Sequence, residues 1–384
     1  MDVMKKVVLI TNIPNPYRVP LFNELSKQLQ SDNIHLKIIF ANKTYKRRLF
    51  QLNENDFQFE YSYLNNEAIT VGNNSENSYF TYKGLFQQLK NEKPDSIIVS
   101  GFSSATVKVF LYSIINRTPY IIWNGSIAKQ GRKDSFIRTV QRRFLTRFAN
   151  AFVAYGTKAK SYLMSIGASE EKVFIATNTV DTSFFEKETE KQRARLVDDE
   201  IHHFIYLGYL VPRKNVGQLI EIAKTLKSHR SDFCIDIIGD GESKNSLESM
   251  VKEYQLSDQV KFHGFKQKEE LPPYFAKAKA LLFQTDFDIW GLVLNEAMAA
   301  GVPCLSSVNA GASEDLIVNG ENGYIVDYQN KADILEKINF IIENPEKAAE
   351  LGKHAGDFIR KNASLSNASK GFVKAIKTSL HLFI

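Results

Sequence analysis

Two carboxylates that could bind a hydroxyl-rich ligand, Asp288 and Glu296, lie eight residues apart on either side of Gly291. Asp288 falls in the loop Thr285–Trp290 after an apolar strand, and Glu296 lies more than one turn inside the helical stretch Leu292–Ala300. A helix that begins after a parallel strand presents free N–H groups and a partial positive charge, which attract phosphate. Gly291 allows close approach of the backbone to a ligand, and an ionised carboxylate accepts several hydroxyl hydrogen bonds. These residues therefore predict a site for a ligand that carries both phosphate and hydroxyl groups.

A pair of cations, Arg213 and Lys214, is the second candidate site. The pair precedes the helical stretch Val216–His229, where positive charge opposes the helix dipole. An anion bound between the two would offset this, so the pattern favours phosphate binding over a solvated helix start. The pair Gly239 and Gly241 lacks the third glycine of the dinucleotide-binding fingerprint, which disfavours a dehydrogenase.

The elements that must position these residues alternate between short apolar strands and amphipathic helices. This alternation predicts an α/β fold, with parallel sheets that carry helices on both faces. The expected strands are Val7–Thr11, Leu36–Ala41, Ser96–Ser100, Tyr120–Trp123 and Phe152–Tyr155 in a first set, then Phe204–Leu207, Cys234–Ile238, Val260–His263, Ala280–Gln284, Cys304–Ser306 and Tyr324–Val326. The expected helices are Pro20–Gln30, Tyr82–Asn91, Ser104–Asn116, Asp134–Asn150, Val216–His229, Lys244–Glu253, Glu269–Lys277, Leu292–Ala300, Lys331–Ile342 and Pro345–Lys361.

The two sets of strands predict two domains, as a chain of 384 residues allows. The first domain is expected over residues 1–182 and the second over 201–362. The segment between them, 183–200, is charged and has no strand pattern, so it is interpreted as a linker. A last helix within 363–384 follows the second set and could return to the first domain.

Composition limits the class of protein. Hydrophobic residues make up 43% of the chain and charged residues 24%, which is ordinary for a soluble globular protein. The two cysteines, Cys234 and Cys304, lie in apolar runs and are expected as buried thiols without a disulfide framework. His202, His203 and His263 have no ligand spacing that suggests a metal, so no metal site is expected. No apolar run reaches the roughly 18 residues of a membrane span and no targeting pattern is found, so a cytoplasmic location is expected.

The segment Lys129–Arg147 concentrates positive charge, with seven basic residues and one acidic residue, Asp134. Near an anionic leaflet each basic residue contributes roughly 1 kcal/mol, which would hold an enzyme weakly and reversibly at a membrane. The alternative is a helix whose apolar stripe packs on the core while its basic face is solvated, and both interpretations stay open. No motif supports nucleic-acid binding. The apolar stripe recurs at four-residue intervals and consists of Phe136, Val140, Phe144 and Phe148, with Ile137 and Leu145 beside them.

Residues 288–303, Asp-Ile-Trp-Gly-Leu-Val-Leu-Asn-Glu-Ala-Met-Ala-Ala-Gly-Val-Pro, resemble the signature of the family 4 retaining glycosyltransferases of the GT-B fold. That signature is E-x(7)-E followed by A-M-A-x-G-x-P, and Asp288 stands here in place of the first glutamate. The resemblance implies two Rossmann-like domains that face each other across a cleft. It implies that Asp288 faces the donor sugar, that backbone at the start of the helix meets the diphosphate, and that Glu296 binds the ribose. The donor-binding residues implied in this stretch are Asp288, Trp290, Gly291, Leu292, Val293 and Glu296.

Further matches cover the second half of the chain. The segment Gly208–Asn215 resembles the family's G-R-L-x(3)-K-[GN] and implies that Gly208 and Lys214 contact the donor, with Lys214 on its phosphates. Tyr209 replaces the usual arginine of this motif, and Arg213 is expected to supply the missing charge. The other matching segments are Ile237–Glu242, which contains the donor-binding candidate Gly239; Val260–Phe265, which ends at the candidate Phe265 before the base-binding loop; Gly311–Leu316; Asn319–Tyr324; and Asn178–Asp181.

The first domain, which binds the acceptor in this family, matches less well. The loop after its first strand, Asn12–Arg18, is not rich in glycine, and the later site Trp123–Ser126 lacks the family's histidine. The resemblance therefore does not identify the acceptor. The acceptor-binding candidates at these two places are Asn15, Tyr17, Arg18 and Asn124.

The resemblance implies a retaining hexosyltransferase that needs neither a divalent metal nor a cofactor, with Asp288, Lys214 and Arg213 as catalytic residues. Arg213 and Lys214 would stabilise the departing diphosphate. The expected donor is a UDP-linked hexose or N-acetylhexosamine, with GDP-mannose second, and the expected acceptor is a glycan or a lipid-linked glycan of cell-surface polysaccharide synthesis. The alternatives are a nucleotide-sugar epimerase, a sugar phosphorylase, and a nucleotide-sugar-binding scaffold without catalysis, which the missing histidine favours.

Overall fold

A computed structural model of the chain describes residues 4–44, 50–66, 68–70, 78–128, 135–196 and 200–382. The chain forms two compact units. Unit 1 consists of Met1–Thr179 together with Leu365–Ile384, and unit 2 consists of Val180–Ser364. Each unit has its own sheet and its own hydrophobic core.

Unit 1 is built on a parallel sheet. Its strands are β1 (Lys5–Thr11), β2 (Ile34–Phe40), β3 (Glu60–Tyr63), β4 (Ala68–Thr70), β5 (Ser78–Phe80), β6 (Ser96–Ser100), β7 (Tyr120–Asn124), β8 (Ala151–Ala154) and β9 (Val173–Ile175). Its helices up to this point are α1 (Val19–Ser31), α2 (Leu85–Glu92), α3 (Ser104–Asn116), α4 (Phe136–Phe148) and α5 (Thr157–Ser165). Seven strands form the main sheet in the order β3-β2-β1-β6-β7-β8-β9, and β4 pairs with β5 separately.

Apolar residues cover both faces of this sheet because its strands are almost continuous hydrophobic runs. In β1, Val8 and Ile10 contribute to one core, whereas Val7 and Leu9 contribute to the core on the opposite face. The alternation follows from the two-residue period of a strand. Both cores are therefore fixed by the same short segments.

Unit 2 repeats this plan. It contains α6 (Thr182–Arg193), β10 (His202–Leu207), α7 (Gly217–Lys227), β11 (Phe233–Ile238), α8 (Lys244–Glu253), β12 (Val260–Gly264), α9 (Pro272–Lys277), β13 (Ala278–Phe283), α10 (Leu292–Ala299), β14 (Cys304–Ser307), α11 (Ser313–Leu316), β15 (Gly323–Val326), α12 (Lys331–Glu343) and α13 (Pro345–Asn362). The sheet is parallel, in the order β12-β11-β10-β13-β14-β15. The winding direction reverses between β10 and β13, and ligands of open α/β sheets bind at the carboxyl ends of the strands at such a point.

The segment interpreted as a linker, 183–200, is largely a helix of unit 2. Helix α6 begins after Asp181, whose carboxylate accepts a hydrogen bond from the Phe184 N–H. Phe185 is buried against Phe275 of α9, with ring centroids 5.8 Å apart, and Arg193 donates a hydrogen bond to the carbonyl of Ala300. The charged composition of this segment therefore reflects the solvated face of a packed helix.

The last helix, α14 (Leu365–Ser379), belongs to unit 1 although it follows unit 2 in the chain. Phe372 is buried and packs against Trp123, with ring centroids 5.1 Å apart. A Cβ added to Gly371 would lie 2.3 Å from the carbonyl oxygen of Ile175, so this glycine permits close contact with the end of β9. The helix thus completes the core that Val7 and Leu9 begin.

The prediction of two α/β units with parallel sheets is confirmed. Each expected strand is present, with ends within two residues of the prediction. Strand β9 was not among the expected strands, because Val173–Ile175 is too short for a clear pattern.

Candidate functional site

Most donor-binding candidates lie in loops that follow β10, β11, β12 and β13, at the carboxyl edge of the unit 2 sheet, and Leu292, Val293 and Glu296 lie in α10, which begins after the last of these loops. The loop after β10 carries Gly208, Arg213 and Lys214, and the loop after β13 carries Asp288 and Gly291. Because β10 and β13 are neighbours, their loops meet at the point where the winding of the sheet reverses.

Lys214 and Asp288 form an ion pair that joins these two loops. Lys214 is 4% exposed, and its ammonium lies 4.7 Å from the centre of the Phe283 ring. The other carboxylate oxygen of Asp288 accepts a hydrogen bond of 3.2 Å from the Trp290 N–H. Burial alone would raise the pKa of Asp288, but the charge and hydrogen bond of Lys214, with the Trp290 N–H and nearby Arg213, hold this pKa below its usual value. Asp288 is therefore ionised at neutral pH.

Arg213 also connects the two loops. Its guanidinium donates a hydrogen bond of 3.1 Å to the carbonyl of Phe287, and its own carbonyl accepts one of 3.0 Å from the Asp286 N–H. Asn215, with a left-handed φ of 46°, turns the chain into α7 and donates its side-chain N–H to the Asp286 carboxylate. Side chains and backbone of the loop after β10 thus fix the position of the loop that carries Asp288.

Glycines bring the backbones of the site into close contact. A Cβ added to Gly239 would lie 1.8 Å from the carbonyl oxygen of Gly208, so the loops after β10 and β11 can touch only through glycine. Gly291 precedes α10 with φ of 103°, and a Cβ there would lie 2.5 Å from the Phe283 ring. Beyond it, the first-turn N–H groups of Leu292 and Val293 have no partner inside the helix. The structure therefore offers backbone donors beside Asp288, as phosphate binding requires.

Glu296 lies half-buried in α10, one turn beyond the start of the helix. Among the described residues, none forms a hydrogen bond with its carboxylate. Burial raises the pKa of Glu296 to about 8, and the more distant charge of Lys268 offsets only part of this effect. A carboxyl group in this state can both donate and accept hydrogen bonds to ligand hydroxyls.

The two aromatic candidates of the donor site differ in exposure. Phe265 follows β12 and is 36% exposed, so its ring is accessible to a ligand. Trp290 is buried, and its indole N–H donates a hydrogen bond of 3.0 Å to the side-chain carbonyl of Asn295. The Trp290 ring therefore anchors the loop on α10.

The acceptor-binding candidates lie at the carboxyl edge of the unit 1 sheet. Asn15 and Arg18 are buried in the loop and helix start after β1, and Asn124 is buried at the end of β7. The Arg18 guanidinium lies 4.4 Å from the centre of the Trp123 ring and donates a hydrogen bond of 2.5 Å to the Tyr155 hydroxyl.

Sequence reasoning missed Tyr155, which follows the end of β8, and Thr11, whose hydroxyl accepts a hydrogen bond of 3.3 Å from Arg18. Their position at strand ends is the signal that could have indicated them. Tyr17 is half-buried, and its ring lies 5.5 Å from the Arg18 guanidinium. The structure therefore surrounds Arg18 with polar and aromatic groups.

The apolar stripe of the basic segment is exposed in the structure. Phe136 is 82% exposed and Ile137 77%, and in α4 only Leu145 and Thr146 are buried. The core-facing interpretation of this stripe is therefore wrong for most of its length, because the neighbouring α3 covers only its end, where Phe110 packs on Phe144 and Phe148. Residues 129–134 of the basic segment lie outside the described residues. Within the described ranges, no helix is both long and apolar enough to cross a membrane.

The family match of this chain lies within unit 2. Residues 187–357 match the model of the family Glycosyl transferases group 1. An uncharacterized glycosyltransferase of Methanocaldococcus jannaschii is 29% identical over 157 residues, which cover 41% of this chain and 43% of that protein. The 2-deoxystreptamine N-acetyl-D-glucosaminyltransferase of Niallia circulans is 23% identical over 281 residues, which cover 71% of this chain and 66% of that protein. The chain thus spans less than half of the first relative and about two thirds of the second.

Similarity to solved structures extends over both units. The crystal structure of Anabaena HepE in complex with UDP matches with a TM-score of 0.75 and 18% identity, and the match covers 98% of this chain and 100% of HepE. The solved structures that match over both units have the GT-B fold. The predicted fold class, GT-B with two Rossmann-like domains, is thereby confirmed.

Proposed function

We propose that the chain is a glycosyltransferase that transfers a hexose or N-acetylhexosamine from a nucleotide-diphosphate sugar to a glycan or lipid-linked acceptor. The observation that carries this proposal is the Lys214–Asp288 ion pair beside the glycine-led start of α10, with Glu296 one turn further on. The group 1 match supports it because the match contains all of these residues. A UDP-sugar is the first donor to test, since HepE was solved with UDP, and GDP-mannose is the second.

In this proposal unit 2 binds the donor through its diphosphate. Lys214 carries three N–H donors, so it can contact a phosphate oxygen while it stays paired with Asp288. Arg213 and the N–H groups of Leu292 and Val293 add to the positive field that stabilises the departing diphosphate. Each of these groups is held by the loop contacts described above, so little reorganisation is needed as charge develops.

The remaining donor contacts follow from the state of the two carboxyl groups. Ionised Asp288 accepts hydrogen bonds from sugar hydroxyls, and Glu296 binds the ribose hydroxyls. We propose retention of the anomeric configuration, with the acceptor proton taken by the departing phosphate, so that neither a protein nucleophile nor a divalent metal nor a cofactor takes part. The acceptor hydroxyl would be bound by unit 1, where Asn15, Arg18 and Asn124 lie at the sheet edge.

We further propose that α4 contacts an anionic membrane surface, which places the enzyme at the inner face of the plasma membrane beside a lipid-linked acceptor. The helix carries four arginines and no acidic residue within Phe136–Phe148. Phe136 and Ile137 are exposed at its start, and Leu111, Ile114 and Ile115 of the neighbouring α3 are exposed as well. Arg142 donates a hydrogen bond to the Tyr162 hydroxyl and lies over the Phe102 ring, so it faces the protein. The other three arginines are exposed and contribute about 3 kcal/mol near an anionic leaflet, and insertion of the apolar side chains adds to this.

The donor site is tested by thermal unfolding with a panel of UDP-, GDP-, ADP- and dTDP-sugars. A ligand at about 100 times its Kd stabilises the protein by about 2.7 kcal/mol, which raises Tm by several degrees. We expect one nucleotide class to give this increase, and Glu296→Ala to remove it. The control is Glu253→Ala on the exposed face of α8, which should retain the full increase.

Turnover distinguishes transfer from mere binding. Release of the nucleoside diphosphate that requires an added glycan acceptor supports the transferase. Conversion of the donor without an acceptor would indicate an epimerase, and binding without any conversion would indicate a scaffold. A well-folded sample whose Tm rises with none of the nucleotide sugars would refute the donor site itself.

A further inference from the structure

A second cluster of polar side chains lies within the unit 2 sheet, away from the donor loops. It consists of His203 on β10, Cys234 and Asp236 on β11, and His263 on β12. His203 is paired in register with Cys234, and Asp236 lies two residues further along the same strand, so these side chains share one face of the sheet. The opposite face carries the apolar core that includes Phe204 and Ile235.

Asp236 is the centre of this cluster. It is 6% exposed, and its two carboxylate oxygens form hydrogen bonds with different histidines, one of 2.7 Å with His203 Nδ1 and one of 2.6 Å with His263 Nε2. The Cys234 thiol lies 3.9 Å from the same carboxylate and is also buried. A ring nitrogen of His203, Cys234 Sγ and an Asp236 oxygen all lie within 4.8 Å of one another.

We propose that this cluster binds one divalent transition-metal ion of the zinc class, with His203 Nδ1, the Cys234 thiolate and Asp236 as its protein ligands. Zinc holds such N, S and O ligands at about 2.0 to 2.3 Å, which places them roughly 3.3 to 3.8 Å apart. In the structure His203 Nδ1 lies 2.7 Å from one Asp236 oxygen and Cys234 Sγ lies 3.9 Å from the other, so small side-chain adjustments would bring the three ligands to that spacing. Binding would release the thiol proton of Cys234, and His203 would present an unprotonated Nδ1 to the metal.

His263 is then a positioning residue. Its hydrogen bond to the second oxygen of Asp236 would orient the ligating carboxylate, as outer partners of metal ligands commonly do. Its ring packs edge-on against Tyr274 of α9, with centroids 4.9 Å apart. The three ligands open onto a cavity of about 870 Å³, which leaves room for water in the fourth position.

The metal would tie strands together without taking part in sugar transfer. His203 is near the amino end of β10, whereas the donor loop begins after Leu207 at the carboxyl end. The bound ion would join β10 to β11 directly and β12 through His263. Sequence spacing gave no indication of a metal site because His203 lies on a different strand from the other two ligands. It precedes Cys234 by 31 residues and Asp236 by 33 residues.

The test is a titration of the full chain, stripped with a chelator and carrying no histidine tag, with Co²⁺ as the spectroscopic probe. A thiolate ligand gives a charge-transfer band in the near ultraviolet, and we expect this band to saturate at one Co²⁺ per chain and to disappear when Zn²⁺ is added. Cys234→Ser should abolish the band. Cys304→Ser is the matched control, because Cys304 is equally buried but lies on β14, outside the metal-binding cluster.

A histidine pair provides a second comparison. His203→Gln should weaken Co²⁺ binding at least tenfold, whereas His202→Gln on the adjacent position, beside Asp232, should leave it unchanged. The proposal is overturned if the folded protein develops no thiolate band, if the band survives Cys234→Ser, or if His203→Gln leaves the affinity for Co²⁺ unchanged. These readouts involve no nucleotide sugar, so they succeed or fail independently of the proposed transferase activity.

Discussion

Removal of the Lys214 charge should lower the free energy of unfolding of unit 2 by about 3 kcal/mol. Lys214 is 4% exposed and the Asp288 side chain 22% exposed, so the ion pair is mostly shielded from water. Breaking a buried pair by removing one partner costs about 3 to 5 kcal/mol, because the other charge is left without compensation. Since Asp288 keeps some solvent contact, we expect about 3 kcal/mol for Lys214→Met, in which the methionine retains the packing on Phe283.

A double-mutant cycle separates the ion pair from other effects. Asp288→Asn leaves the buried ammonium unpaired and should cost a similar amount. The combination of Lys214→Met with Asp288→Asn removes both charges, so we expect it to cost less than the sum of the single variants by about 1 to 3 kcal/mol. Strict additivity would contradict the coupling.

Tryptophan fluorescence during urea unfolding measures these energies within unit 2. The chain has two tryptophans, Trp123 in unit 1 and Trp290 in unit 2, so a Trp123→Phe background makes Trp290 the reporter. Lys252→Met on the exposed face of α8 is the control and should change the free energy of unfolding by less than about 0.5 kcal/mol. A cost below 1 kcal/mol for Lys214→Met would refute the argument that this pair is shielded.

Two further predictions concern pH and membranes. The pKa of Glu296 in the folded state, about 8, lies above its ordinary value of 4.5, so between these values the folded state holds a proton that the unfolded state has lost. The free energy of unfolding of unit 2 should therefore fall as pH rises from about 4.5 to 8, and Glu296→Gln should flatten this fall. Identical pH profiles for the two proteins would contradict the raised pKa. Arg143→Gln with Arg147→Gln should weaken sedimentation with phosphatidylglycerol vesicles about 30-fold, from roughly 1 kcal/mol per arginine. Lys90→Gln on α2 is the control, and equal binding to neutral phosphatidylcholine vesicles would refute an electrostatic contact.

Much of the fold could be predicted because parallel strands buried on both faces are continuous apolar runs. The segments Ser96–Ser100 and Cys304–Ser306 show this, and the structure contains both. Helix α6 was missed because only Phe185 and Thr189 of its twelve residues are buried, so its charged face dominates the sequence. Periodicity identifies a helix by its apolar stripe, and here the stripe was too narrow to detect.

Contacts between side chains on different strands and helices were harder to predict from the sequence. The spacing of Asp288 and Glu296 follows from one local motif, whereas the Lys214–Asp288 contact depends on β10 and β13 being neighbours, which only the family resemblance implied. The amphipathic pattern of α4 was clear, but periodicity does not state whether an apolar stripe faces a core or solvent. The contacts of Asp236 with His203 and His263 depend on strand order, which local patterns do not encode.

The return of α14 to unit 1 has a consequence for how the protein is made. Phe372 and Ile376 fill the core beneath Trp123, yet the ribosome synthesises them after the whole of unit 2. Unit 2 is continuous in the chain and can fold as it emerges, whereas the part of the unit 1 sheet formed by β7, β8 and β9 must wait for the helix that covers one of its faces. During that interval the nascent chain exposes Trp123, Val153 and the apolar side of α1, and transiently exposed apolar surface of this kind promotes aggregation and chaperone binding.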